Sequence, residues 1–464
     1  MSSTAPIEKQ RLPVPDGTIP VGVALLVAGV ATYAFLRVGT LAVGSEDAFA
    51  PIVSLWFVTF TLAPGFFLPL EQELGRALAH RRAIGDGTQP VVQKIVRLAI
   101  GLVAIIVVVI LALSPWIANG YFDGNWWMVV ALIGTVMAYA PVHLARGVCS
   151  GSGRFREYAL IMGSDGVVRI LLCVALAIVS VKAAGAYGLV IAISPLFAVT
   201  YVWRRGALKP IGRKPVAENV VEVDDPSSGR RSTETFDPGS PASWSEVTPN
   251  LGWLLLGSVF AATLLNAGPI TMTLLADDNE KDFVTTFSYG ILIARVPLFL
   301  FQAVQAALLP GLSRLAARGE LTEFRAGMKR LAYVVLAVGV VGTLGAFILG
   351  PFAIDLVFKA DLGGRTLAAL ALASGVYMMA LALAQAVIAL KGHALVALGW
   401  GVGVITFALV TVFSSDDLFR RIELGLFSSS MVSMVFFGIA LKSRLASSVV
   451  PDQGSVIEAA TPRK

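Results

Sequence analysis

The chain has 464 residues, 56% of them hydrophobic and 14% charged, with mean hydropathy +0.77 and net charge +6. A soluble domain carries about 45–50% apolar and about 25% charged residues. This composition excludes a soluble enzyme, a disordered chain and a disulfide-built secreted scaffold, and leaves a membrane protein with many helical spans.

In chain order, residues 1–17 read as a polar tail. The charge-free run 12–36 exceeds the 7–15 or so residues of a signal h-region, so it predicts span 1, with Arg37 late in it. Span 2 covers 48–70 and ends in Glu71, Gln72 and Glu73, followed by Arg76, Arg81 and Arg82. Spans 3 and 4 cover 98–122 and 124–145. Span 5 covers 158–181 and is broken by Arg169; span 6 covers 183–203. Residues 204–246 hold five prolines, several serines and many charges, which predicts a disordered linker. Six more spans follow at 247–276, 283–309 (broken by Arg295), 331–354, 366–390, 392–415 and 424–441, and residues 446–464 form a second tail. The reading is an all-α polytopic membrane protein. Its twelve transmembrane helices fall into two six-helix lobes, 18–203 and 247–445, in a V-shaped transporter architecture.

Charge sets the expected orientation. Of 36 Lys and Arg, only Lys182, Lys281, Lys359, Arg365, Arg420 and Arg421 fall in loops on one side. Arg37, Arg169 and Arg295 lie within spans, and all the rest fall on the side of the termini and linker. The positive-inside rule then places both termini in the cytoplasm. The net charge is a topology signal, so nucleic acid is not an expected partner.

The halves show a weak internal repeat. Leu74-Gly75-Arg76 and Leu312-Ser313-Arg314 are 238 residues apart, while Ala145, Val148 and Gly153 match Ala384, Val387 and Gly392 at 239. With six spans per half both halves start on the same side, so the repeats are parallel and the lobes can rock about a central cavity.

An ionisable residue at mid-bilayer is a functional hypothesis by default. Arg169 lies about 16 Å into span 5 at ~1.5 Å per residue. Asp165, four residues earlier, shares its helix face, which suits either an ion-coupling site or an internal ion pair. Arg295 is also near mid-depth and has no acid in its span. Arg37 lies towards the outer leaflet, where it either snorkels or lines an exit. Arginines outnumber Asp165 three to one, so the expected cavity is cationic and binds anions through bidentate guanidinium bonds. Asn266, Gln302, Gln305 and Gln385 are candidate sugar contacts, or else interhelical hydrogen bonds. Glu71 and Glu73 are candidate gate residues that pair with the other lobe when the inner mouth closes. Pro64, Pro141, Pro269 and Pro297 are expected to kink helices. No nucleotide loop, catalytic constellation or zinc spacing is present in the sequence, so neither an enzyme nor a cofactor is expected.

Several stretches resemble bacterial polysaccharide-export flippases of the multidrug/oligosaccharidyl-lipid/polysaccharide exporter superfamily. They are Leu62 to Leu74, Arg295-Val296-Pro297 with Ala307 to Ser313, and Arg146-Gly147 to Gly153-Arg154-Phe155. The resemblance implies transfer of a polyprenyl-diphosphate-linked oligosaccharide across a bacterial cytoplasmic membrane by alternating access. On that view Arg169 and Arg295 contact the diphosphate, Arg37 lies near the exit, and cell-wall glycosyltransferases or a polymerase are candidate partners alongside membrane lipids. The linker is longer than the family pattern. A drug exporter of the same superfamily coupled to H⁺ or Na⁺, with Asp165 as coupling site, is the alternative. A scaffold that recruits cell-wall enzymes, and a membrane glycosyltransferase or ligase, are more distant ones.

Overall fold

A computed structural model describes residues 18–212, 237–247, 250–276, 282–298 and 318–446, with residues 301, 312, 315 and 316 between the last two segments. The tails, residues 213–236, and Gln302 and Gln305 lie outside the described residues.

Among the described residues the apolar runs form twelve helices of thirteen residues or more, because in lipid a helix satisfies its backbone polar groups internally. They are α1 (Thr18–Val43), α2 (Glu46–Ala83), α3 (Gln89–Ala112), α4 (Trp126–Gly151), α5 (Phe155–Ile178), α6 (Ala184–Arg204), α7 (Leu251–Leu275), α8 (Asp282–Ala294), α9 (Leu321–Phe358), α10 (Gly364–Ala389), α11 (His393–Phe413) and α12 (Leu418–Ala446). All but α8 are long and apolar enough to cross a membrane. Sequence chemistry sets the ends. Ser45 caps α2 by accepting from the Ala48 amide at 3.2 Å, ahead of Glu46 and Asp47 in the first turn. Lys359 ends α9 in the left-handed conformation.

The internal repeat is visible as packing. In the first lobe α1 packs on α5, α2 on α4, α3 on α4, α4 on α6, and α5 on α6. In the second, α7 packs on α11, α8 on α10, α9 on α10, α10 on α12, and α11 on α12. Each pair maps onto its counterpart when six is added to the helix number.

Symmetry makes α2 with α7 and α8 with α1 equivalent seams; among the described residues α2 packs on α7 and also touches α8, while α1 meets α8 through a few side chains. They differ. Along α2 and α7 the backbones approach closely: a Cβ at Gly65 would lie 3.4 Å from the Val259 Cα. Hydrogen bonds cross that seam at three depths. Ser54 Oγ meets Thr273 Oγ1 at 3.0 Å, Asn266 Nδ2 donates to the Phe60 carbonyl at 3.2 Å, and Ser258 Oγ donates to the Pro64 carbonyl at 2.9 Å. The hydrogen bonds joining α1 and its turn to the second lobe instead lie between Tyr33 and Glu46, among the described residues. Tyr33 donates to the Leu292 carbonyl at 2.9 Å, Arg37 Nη1 to the Phe358 carbonyl at 3.1 Å, Thr40 bonds Tyr289, and Thr286 donates to the Glu46 carboxylate at 2.7 Å. These ties lie on the side of the membrane away from the linker.

Both ends of the linker are fastened to the first lobe, at the turn between α2 and α3. Thr88 Oγ1 accepts from the Ile211 amide at 2.8 Å and the Thr88 amide donates to the Ile211 carbonyl at 2.9 Å. Asp86 accepts from the amide and hydroxyl of Ser240 and from the Gly87 amide. Arg81, 2% exposed, clasps the Glu246 carboxylate through Nε at 2.6 Å and Nη2 at 2.9 Å and also reaches the Gly87 and Ser240 carbonyls. Lys94 donates to the Ala242 carbonyl at 2.7 Å and lies over the Trp244 ring. Gly87 meets Pro238 so closely that a Cβ there would lie 2.2 Å from the Pro238 carbonyl oxygen. The bonds from Ser240 and Gly87 hold the Asp86 carboxyl down to about 2, and the Arg81 fork holds Glu246 below the usual carboxylate range.

Candidate functional site within the membrane

In the first lobe the expected face-sharing of Asp165 and Arg169 appears as an ion pair of 2.5 Å. Tyr139 donates to Asp165 Oδ2 at 3.2 Å and Ser194 to Oδ1 at 2.9 Å. Both carboxylate oxygens are therefore engaged. The Arg169 guanidinium also reaches the Tyr139 hydroxyl at 3.1 Å and lies 4.7 Å from the Trp56 ring centroid and 5.9 Å from that of Phe60. The rings of α2 thus cover the guanidinium on the side facing the second lobe.

Tyr139, His143 and Arg146 follow one another on a single face of α4, spaced four and three residues apart. His143 Nδ1 bonds Glu71 Oε2 at 2.7 Å, and the Arg146 guanidinium (3.2 Å) and Tyr158 hydroxyl (3.0 Å) share Oε1. Glu71 was expected as a gate residue reaching the other lobe. In this structure the helical phase of α2 turns Glu71 inward, and these three partners all belong to its own lobe. Glu73 is held by Arg76 at 2.7 Å. Its charge also acts on His393, at the start of α11 in the second lobe.

In the second lobe Arg295 is 6% exposed, and no described carboxylate pairs with it. Its electrostatic neighbours are the phenols Tyr377 and Tyr33. Its hydrogen bonds go to neutral oxygens on α7: Nη1 to Asn266 Oδ1 at 3.2 Å, and Nη2 to the Leu265 carbonyl. The neighbouring proline explains the second acceptor. Pro269 has no N–H, so the Leu265 carbonyl four residues earlier loses its helical donor. The same logic holds across the seam, where Pro64 leaves the Phe60 carbonyl free and Asn266 Nδ2 takes it. Asn266 is thus spent on the seam rather than presented to a sugar. Its second Nδ2 hydrogen goes to the Ala262 carbonyl at 3.1 Å.

Beside Arg295 lies a cavity of about 20 Å³ lined by Leu264, Ser374, Tyr377 and Ser430. That volume holds about one water, so loading a substrate requires the site to widen. Gln385 lies half-buried on α10, whereas Arg37 joins the far-side ties described above. Phe60 stands between the two mid-membrane arginines, its ring over Arg169 and its carbonyl linked through Asn266 to Arg295. Sequence reading named both arginines but missed this bridge. The signal was present: a polar residue three positions before a mid-span proline, and a second mid-span proline in the other half.

No protein-family model and no curated protein matches the sequence. Solved structures do match. An inward-facing multidrug resistance MATE family transporter of the MOP superfamily aligns with TM-score 0.65 at 14% identity, over 92% of this chain and 98% of that one. A mutant of the Vibrio cholerae MATE transporter VcmN aligns with TM-score 0.60 at 13% identity, over 94% and 97%. A MOP superfamily transporter from Pyrococcus furiosus, described as having a binding pocket of reverse polarity, aligns with TM-score 0.65 at 12% identity, over 93% and 96%. The chain therefore has the two-lobed, twelve-helix fold of MATE transporters. The superfamily resemblance holds at the level of fold. These neighbours are MATE transporters, and the polysaccharide-flippase branch gains no support from them.

Proposed function

We propose that this chain is an alternating-access exporter of the multidrug type whose substrate is an amphipathic anion loaded at Arg295. The observation that carries this reading is Arg295 itself, a cation buried beside the lobe seam with neutral oxygens as its hydrogen-bond partners. A buried guanidinium held by neutral acceptors keeps most of its attraction for a phosphate, sulfate or carboxylate. The pocket described as reversed in polarity in the Pyrococcus furiosus neighbour supports the idea that this fold accepts substrates of more than one charge. Coupling to H⁺ or Na⁺ falls to the first lobe. Any ion taken up at Asp165 displaces Arg169, Tyr139 or Ser194 from its oxygens.

The lipid-linked oligosaccharide reading stays as a narrower member of the same class, since a polyprenyl diphosphate is an amphipathic anion. Proteoliposome transport separates the cases. The expected result is uptake of an anionic fluorescent amphiphile, abolished in R295Q, with little uptake of a cationic dye of similar size. Competition by farnesyl diphosphate at low micromolar concentration would favour the lipid-diphosphate case. Uptake of the cation, unaffected by R295Q, overturns the assignment of charge.

A further inference from the structure

Two proline kinks, one in each lobe, leave a carbonyl without its helical donor, and one hydrogen-bonded chain satisfies both. Pro64 frees the Phe60 carbonyl on α2, and Pro269 frees the Leu265 carbonyl on α7. Arg295 donates to Leu265 and to Asn266 Oδ1, and the same Asn266 amide donates across the seam to Phe60. Asn266 is 3% exposed and Arg295 6%, so water does not replace these partners cheaply. We infer that Pro64, Pro269 and Asn266 are positioning residues that make anion loading at Arg295 and contact between the lobes mutually dependent.

The inference rests on the anion reading of Arg295 and adds a mechanism to it. An incoming anion competes with two neutral acceptors for the guanidinium. A neutral acceptor offers the guanidinium only a dipole, whereas an anion adds a full Coulombic attraction that low dielectric strengthens, so the exchange favours the anion. As Nη1 leaves Asn266, the carboxamide oxygen loses the donor that fixes its orientation. The Nδ2 group then keeps its bond to the Ala262 carbonyl within α7 and loses its aim at Phe60. The mid-membrane tie between α2 and α7 is released while the anion is bound. Re-forming that tie draws the guanidinium back to Asn266 and Leu265 and expels the anion. Linkage makes the two effects equal in size. No acid at Arg295 is needed, since the proline-freed carbonyls serve as its resting partners.

The test uses the full chain in lipid nanodiscs with farnesyl diphosphate as probe. Binding is measured by calorimetry. Lobe separation is measured as the distance between spin labels at Arg156 on α5 and Lys442 on α12, both exposed; the native Cys149 and Cys173 are buried. The wild type should bind the probe and change its label distance. N266A also frees Arg295 from one resting partner, so it should bind about three- to tenfold tighter, but its label distance should no longer respond. P269A restores a helical donor to Leu265, freeing Arg295 from one resting partner, so it should bind about three- to tenfold tighter. P64A should mimic N266A in its label distance, because Phe60 regains its own donor. Should either proline variant fail to fold, N266A alone decides. A wild-type distance response in N266A overturns the coupling. Farnesyl diphosphate binding that survives R295Q overturns the anion reading beneath it.

Discussion

The two lobes share one packing plan but treat their mid-membrane arginines, Arg169 and Arg295, in opposite ways. In the first lobe Arg169 is paired with Asp165 near mid-membrane, and Arg146, late in α4, with Glu71. In the second, Arg295 has carbonyl and carboxamide oxygens. Separating a buried ion pair leaves an uncompensated charge in low dielectric, so those groups are held together. A cation resting on neutral acceptors exchanges them for an anion at little loss. On the proposed reading the same fold supplies a rigid half and a receptive half, with Arg169 and Arg295 doing different work.

The largest effect expected from breaking this contrast lies in the rigid half. Arg169→Ala strands Asp165 in the membrane and should cost about 3–5 kcal/mol of stability, seen as a lower thermal midpoint in detergent. The paired replacement R169M/D165L removes both charges and should recover most of that loss. If the double variant melts as low as the single one, the pair contributes more than mutual neutralisation. By contrast R295Q should leave the melting point within a few degrees of wild type, because its neutral acceptors can keep a neutral donor.

Next in size is the linker strap. Arg81→Ala removes three hydrogen bonds to the strap segment, two to the Glu246 carboxylate and one to the Ser240 carbonyl. Hydrogen exchange of the 237–246 amides should speed up by about tenfold or more, in keeping with about 1.5–3 kcal/mol for bonds to a charged group. Acid should do the same only at the extreme. Asp86 and Glu246 have folded values below their unfolded ones, so their contribution is fully present above about pH 4. It is lost as pH falls towards about 2, where Asp86 titrates. Exchange in the strap should therefore be pH-independent between about 5 and 8 once intrinsic rates are removed. A step near neutrality would mean that another group controls the strap.

Much of this was legible in the sequence for physical reasons. Span positions follow from apolar length, the pairing of Asp165 with Arg169 from a spacing of four, and the lobe repeat from offsets of 238 and 239. What escaped depends on helix phase and on contacts between distant segments. Glu71 at a span end reads as a gate residue, and only the rotation of α2 shows that it faces His143, Arg146 and Tyr158. Residues 237–246 read as unstructured because nothing in their composition reveals that Arg81 and Asp86 wait for them. The bridge from Arg295 to Phe60 needs two prolines 205 positions apart to be brought to one depth.

The smallest effect, and the sharpest on the role of Arg37, concerns the far-side ties. Arg37 is half-buried and donates to one carbonyl, that of Phe358. A single such bond contributes about 0.5–1.5 kcal/mol. The bonds from Tyr33, Thr40 and Thr286 remain when it is lost. R37Q should therefore raise far-side opening, read as thiol labelling of a cysteine placed at the buried Ser288, by no more than about tenfold. Anion affinity should stay near the wild-type value. An affinity loss as deep as that of R295Q would place Arg37 in the substrate path rather than in the closure. The seam between α1 and α8 would then carry charge recognition at both depths, and the division between a rigid first lobe and a receptive second lobe would no longer hold.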